Sequence, residues 1–152
     1  MKNKKGFTLV ELLAVIAILA ILMLLIMPNI LNLFQNGRRD AFITQVQTVW
    51  QTATQQFVSS SFTSNPLSSF CDKSQNLNNC NELEVGSTNV KYFVSINGEG
   101  NVSQIAVSDG YFCYVENTNP KLGIKRDEVG NSDNKDVVCT ANNSGVVTCT
   151  CQ

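Results

Sequence analysis

The chain has 152 residues and a formal net charge of −1, with 11 basic against 12 acidic side chains. That length fits one small domain plus an appendage, and the charge balance excludes a basic surface of the kind that drives non-specific nucleic-acid binding. Six cysteines and no histidine remove the commonest general base and read as a disulfide framework in an exported chain, so no enzyme, cofactor or metal centre is expected.

The chain opens on Lys2, Lys4 and Lys5, a basic flank that keeps an N-terminus in the cytoplasm. From Leu12 to Met27 no side chain is polar. At 1.5 Å per residue that stretch spans about 24 Å of helix, and counted from Phe7 it reaches the ~20 residues a bilayer crossing needs. Glu11 lies at the start of this apolar run. A carboxylate there is unfavourable without a partner, which makes it a functional candidate. The run is too long for the apolar core of a secretory signal peptide and ends in Met27-Pro28-Asn29-Ile30, with no small-residue cleavage site.

The segment Lys5-Gly6-Phe7-Thr8-Leu9-Val10-Glu11-Leu12 resembles the processing signature of the type IV pilin superfamily, which includes pilins, pseudopilins and competence pseudopilins. The resemblance covers roughly the first 35 residues and extends to Pro28, where many pilins place a helix-weakening proline. It implies cleavage after Gly6 by a prepilin peptidase, N-methylation of the new terminal Phe7, and Glu11 as the assembly carboxylate. Loss of Lys2, Lys4 and Lys5 would leave 8 basic against 12 acidic side chains, a formal charge of −4. On this reading residues 1–6 are a leader and 7–60 a helix whose 7–34 part spans the membrane or enters a filament core. Residues 61–152 then form an extracytoplasmic domain.

Beyond Pro28, where a kink or unwound turn is expected, Leu31, Phe34, Phe42, Val46, Val49, Ala53 and Phe57 fall at helical spacing. Ile43 and Trp50 widen this stripe, which is expected to lie on a globular domain. The helix is expected to stop in the polar cluster closed by Pro66. A Ser/Asn-rich loop over 61–88 follows, with a short helical turn near Pro66 to Phe70 and a disulfide to tie it down.

Strands are expected next. Asn89 to Ile96 and Val102 to Val107 form a hairpin about Asn97-Gly98-Glu99-Gly100, and Tyr111 to Glu116 forms a third strand. Residues 117 to 135 read as an exposed loop. A last hairpin joins Asp136–Ala141 to Val146–Cys151, with Val137, Cys139, Val147, Cys149 and Cys151 on one face. The fold class is α+β: a long N-terminal helix packed on a small, disulfide-stapled antiparallel sheet.

Cys71 and Cys80 bracket a short loop and are expected to close it. A three-residue turn at Asn143-Ser144-Gly145 sets Cys139 opposite Cys149 and leaves Cys113 for Cys151. A turn one residue different would instead pair Cys113 with Cys149 and Cys139 with Cys151. A Cys149–Cys151 bridge is disfavoured, because alternate strand residues lie about 6.6 Å apart. Cys113, Cys139, Cys149 and Cys151 also have the number of thiolates for a zinc site, but export and even cysteine count favour disulfides. Asp72, Glu82, Glu84, Asp127, Glu128, Asp133 and Asp136 read as solvated loop carboxylates. The oxygens of Asp127 to Asp136, with Asn131 and Asn134, do not follow EF-hand spacing.

The resemblance implies a structural role: a subunit of a type IV pilus or related pseudopilus. Its partners would be identical or related pilin subunits, prepilin peptidase, the assembly machinery and membrane lipid. It would be a single-pass protein, N-terminus cytoplasmic before processing, then part of an extracellular filament or the cell surface. Alternatives are a minor or tip pilin-like adhesin and a membrane-anchored binding domain that never polymerises.

Overall fold

The computed structural model describes residues 7–63, 66–75, 77, 80–85, 89–130 and 136–152. The chain divides into two compact units, Met1–Arg38 and Arg39–Gln152. Helix α1 runs Leu9–Ser61 and contributes to both.

In the first unit α1 is built from Leu, Ile, Ala and Met, most of them strong helix formers, and each side chain from Phe7 to Arg38 is exposed. The segment is long and apolar enough to cross a membrane. A helix is one of the two backbone forms that satisfy their polar groups inside lipid. Pro28 lies within the helix. Leu31 and Phe34, which the spacing assigns to the stripe facing the domain, are 58% and 67% exposed. They belong to the all-round apolar segment; the one-sided pattern starts only beyond Arg38-Arg39-Asp40.

In the second unit Phe42, Val46, Val49 and Ala53 of α1 are buried, with Ile43, Trp50 and Phe57 packed beside them. Each fully buried aliphatic or aromatic side chain contributes about 1.5–3 kcal/mol. The opposite face is rich in Thr, a poor helix interior residue. Thr44, Thr48 and Thr54 donate their hydroxyls to the carbonyls of Asp40, Thr44 and Trp50, each at 2.9 Å, which satisfies those groups within the helix.

The strands are β1 (Ser69–Cys71), β2 (Lys91–Ile96), β3 (Val102–Ser108), β4 (Cys113–Glu116), β5 (Val137–Ala141) and β6 (Val147–Cys151). The first four form one antiparallel sheet in the order β1-β2-β3-β4; β5 and β6 form a separate hairpin. On β2 and β3, Tyr92, Val94, Ile96, Val102, Ile105 and Val107 face the helix. Phe93 and Ala106, paired across the two strands, face the other way and are 2% and 0% exposed. Alternation puts them on the second face, where Val137, Cys139 and Cys149 of the β5–β6 hairpin cover them. The sheet is thus buried on both sides, between helix and hairpin.

The segment after the helix differs from expectation. In place of a helical turn at Pro66 to Phe70, Ser69–Cys71 forms strand β1 on the edge of the sheet. The turn comes later, as a 3-10 segment at Lys73–Gln75 capped by Asp72 Oδ2, which accepts from the Ser74 amide at 3.1 Å. The backbone amides of a sheet edge reward an extended segment, and Asn81 in turn pairs outside β1 through Cys71 N to Asn81 O at 2.9 Å and Asn81 N to Ser69 O at 3.0 Å. The third strand begins at Cys113, later than expected, because Asp109 Oδ1 accepts from the Tyr111 and Phe112 amides and folds them into a turn. The 117–135 loop is less exposed than its composition suggests: Pro120 and Val129 are buried, and Gly130 bridges Cys113. Residues 131–135 of that loop lie outside the described residues.

Candidate functional site

The N-terminal end of α1 carries the first candidate site. Thr8 stands just before the helix and Glu11 in its first turn. Glu11 Oε2 accepts from the Thr8 amide and from the Thr8 hydroxyl, both at 2.8 Å, and Thr8 Oγ1 accepts from the Glu11 amide at 3.3 Å. This is a capping box, in which side chains at both ends of a Thr-x-x-Glu span satisfy amides that the helix cannot. Thr8 had no role in the sequence reading, although Thr-x-x-Glu ahead of an apolar run is itself a legible signature. Phe7, the neighbouring residue, is 91% exposed. Gly6 and the three lysines lie outside the described residues.

The chemistry of this end follows from its parts. A helix N-terminus favours negative charge, which suits an acidic side chain at this position. Both accepted bonds fall on Oε2. Among the described residues, Oε1 takes no hydrogen bond.

In the second unit the six cysteines form three disulfides: Cys71–Cys80, Cys113–Cys151 and Cys139–Cys149. Cys139 stands opposite Cys149 in the β5–β6 register. That register is set by a turn in which the Asn142 amide donates to Val146 O at 3.0 Å and Gly145 takes φ +78°. Cys113–Cys151 ties the end of β6 to the edge of β4. With these sulfurs paired, they supply no zinc thiolates.

Side-chain amides dock the hairpin where no backbone ladder does; Gln104 Nε2 donates to Val147 O at 3.2 Å, and two others make paired contacts. Gln75 Nε2 donates to Val137 O and Gln75 Oε1 accepts from Cys139 N, each at 3.0 Å. On the other strand Asn117 Oδ1 accepts from Cys149 N at 3.2 Å and Asn117 Nδ2 donates to Cys149 O at 3.1 Å. Each amide stands in for one peptide group of a missing neighbouring strand. Between the hairpin tip and the 3-10 segment is a cavity of about 670 Å³ whose lining includes Gln75, Phe93, Thr140, Asn142, Asn143 and Val147. None of its described lining residues is ionisable.

The loop carboxylates hold structure locally. Glu82 pairs with Lys73 at 2.9 Å, Asp136 with Lys91, and Glu128 accepts from the Lys125 amide at 2.8 Å. Asp40 receives Arg126 Nε and Nη2 on its two oxygens, both at 2.5 Å, and this bidentate bond holds its carboxyl below the usual carboxylate range. Burial pushes the Tyr92 phenol up; its oxygen accepts from the Leu83 amide at 2.7 Å. Asn131, Asp133 and Asn134 lie outside the described residues.

The chain thus combines a long apolar helix with a capped acidic start and a disulfide-stapled α+β domain. Residues 1–27 match the family model described as the prokaryotic N-terminal methylation motif, the prepilin cleavage motif of type IV pilins. The N-terminal segment of the chain thus carries the motif at which prepilin peptidase processes type IV prepilins. No curated protein and no solved structure matches it.

Proposed function

We propose that this protein is a structural subunit of a type IV pilus or related pseudopilus, cut between Gly6 and Phe7, N-methylated on Phe7 and assembled through α1. The observation that carries the reading is the methylation motif over residues 1–27, joined to a carboxylate whose Oε2 is capped by its own chain. In the membrane the capping box lowers the penalty on Glu11 while the subunit is alone. Cleavage frees a cationic amine on Phe7. In a staggered bundle that amine reaches the Glu11 of the preceding subunit, and the pair attracts strongly where screening is weak. Leu and Ile faces cannot set this register, because lipid is as apolar as they are. The charge pair can. The second unit then stands outside the membrane, on the filament surface.

Glu11→Gln is the decisive variant, because glutamine also closes a capping box and only the charge is lost. Sheared surface fractions of cells bearing it are expected to contain few or no filaments, while the processed protein remains in the membrane. Wild-type filament yield would overturn the assembly role of the carboxylate.

The neutral polar cavity beside the hairpin tip favours one second reading, a minor or tip subunit whose domain binds an uncharged ligand. Abundance separates the two: a major subunit dominates sheared filaments, and a tip subunit is present at trace level.

A further inference from the structure

Two stretches carry the Asn-x-Ser pattern of an N-glycosylation acceptor: Asn101-Val102-Ser103 and Asn142-Asn143-Ser144. Both asparagines are exposed, and each lies at a hairpin turn. The structure separates them. Asn142 Oδ1 accepts from the Ser144 and Val146 amides at 3.0 and 2.8 Å, so its side chain holds the β5–β6 turn. In the β2–β3 turn that task falls to Asn97, whose Oδ1 accepts from the Glu99 and Asn101 amides at 3.1 and 2.9 Å. Asn101 itself turns outward, its Nδ2 donating to Glu99 Oε2 at 3.4 Å on the exposed side.

Glu99 adds a second distinction. It stands two residues before Asn101 and completes an acidic-x-Asn-x-Ser spacing, the longer acceptor form that bacterial transferases use; the equivalent position before Asn142 is Thr140. We propose that Asn101 is an N-glycosylation site, modified on the extracytoplasmic side by transfer of an oligosaccharide from a polyprenyl-pyrophosphate donor. The inference rests on the extracytoplasmic placement proposed above. In the transfer, Asn101 Nδ2 bonds to the anomeric carbon of the sugar and the anomeric C–O bond to pyrophosphate breaks, its electron pair leaving with the pyrophosphate. One amide proton passes to the transferase.

Ser103 sets the timing. Its hydroxyl, the group that an acceptor presents at this position, donates to Ser95 O at 3.1 Å across the folded hairpin. That bond sits beside the irregularity between Ser95 and Ile96. Transfer therefore precedes closure of the β2–β3 hairpin, or needs it to open. The saccharide then lies on an exposed turn whose Gly100 packs against Phe57 of α1, at the end of the domain where the helix finishes.

The test is mass spectrometry of the full-length gene product purified from its native membrane fraction, reading, after reduction, the tryptic peptides Tyr92–Lys121 and Asp136–Gln152 and the N-terminal peptide together. A hexose-containing mass increment on Asn101, lost in Asn101→Gln, reduced to background in Glu99→Gln and unchanged in Asn142→Gln, is the expected result. Unmodified Asn101 in protein whose N-terminus is Phe7 overturns the proposal, as does occupancy of Asn142 in its place. A glycosylated Asn101 on protein that keeps residues 1–6 would support this inference and refute the pilin reading, so the two fail separately.

Discussion

Thr8 and Glu11 hold each other reciprocally at the first turn of α1, the carboxylate taking the Thr8 amide and hydroxyl and the Thr8 oxygen taking the Glu11 amide. The same carboxylate is thus a helix cap in the single chain and, as proposed, a charge partner in the assembly. Thr8→Val removes the hydroxyl and keeps the shape. It is expected to weaken the start of the helix by about 1 kcal/mol, seen as faster amide exchange over Leu9 to Leu12 in detergent, with processing unchanged. Unchanged exchange would show that the box does not hold the helix start.

Processing itself has a direct readout. The protein from sheared filaments or membranes is expected to begin at Phe7, with a methyl increment on its amine. An intact leader on surface-exposed protein would refute the assignment of Gly6–Phe7 as the cut site.

Gln75 replaces a strand neighbour for β5, so Gln75→Ala leaves Val137 O and Cys139 N without their partner in a buried setting. Each abandoned group is worth about 1–3 kcal/mol. A clear drop in the unfolding midpoint is expected under oxidising conditions, with all three disulfides retained on peptide mapping. A change below 0.5 kcal/mol, roughly the level of a neutral surface substitution, would show that the amide does not dock the hairpin.

Gly100 takes φ +86°, and a Cβ added there meets the Phe57 ring at 3.3 Å. Left-handed backbone alone is unfavourable by about 1–2 kcal/mol for a residue with a side chain. Gly100→Ala is therefore expected to destabilise the domain by at least that amount in chemical denaturation. Gly98→Ala, in open space, is the control and is expected to be close to neutral.

The Asp40–Arg126 pair gives the domain a pH-dependent component. The arginine bond depresses the Asp40 pKa, so its contribution is fully present above the ordinary carboxylate value near 4 and is lost as pH falls through the depressed one. Both side chains are about half exposed, so the effect is small and is screened by salt. Asp40→Asn is expected to flatten the acid limb of a stability-versus-pH curve at low salt and leave it unchanged at high salt. An unaltered acid limb at low salt would refute the contribution.

Cys71–Cys80 closes a loop of sequence separation 9 beside the outer edge of β1. Replacing both with serine is expected to lower stability by about 2–3 kcal/mol in the loop-entropy view and to loosen the pairing of Asn81 with β1. Amide exchange at position 71 and at Asn81 reports this directly, and protection equal to wild type would count against it.

Local chemistry is what made half of this protein readable from its residues. An unbroken apolar run, a basic flank and an acid at one position specify the membrane-capable helix and its processing motif, because those properties depend on neighbours in the chain. The β5–β6 turn is local in the same way: Gly145 fits the left-handed position, and period-two geometry then sets Cys139 opposite Cys149. The start of the one-sided stripe at Phe42, the second buried face of the sheet at Phe93 and Ala106, and the strand at Ser69–Cys71 needed the tertiary structure. Each depends on what lies across space: a sheet for the helix stripe, a hairpin for the second face, and an unpaired strand edge that outweighs the weak turn preference of Pro66 to Phe70. Gln75 and Asn117 show the limit most plainly. A side-chain amide becomes a substitute strand only when folding brings an orphaned peptide group within hydrogen-bond reach, and nothing in the flanking residues announces that meeting.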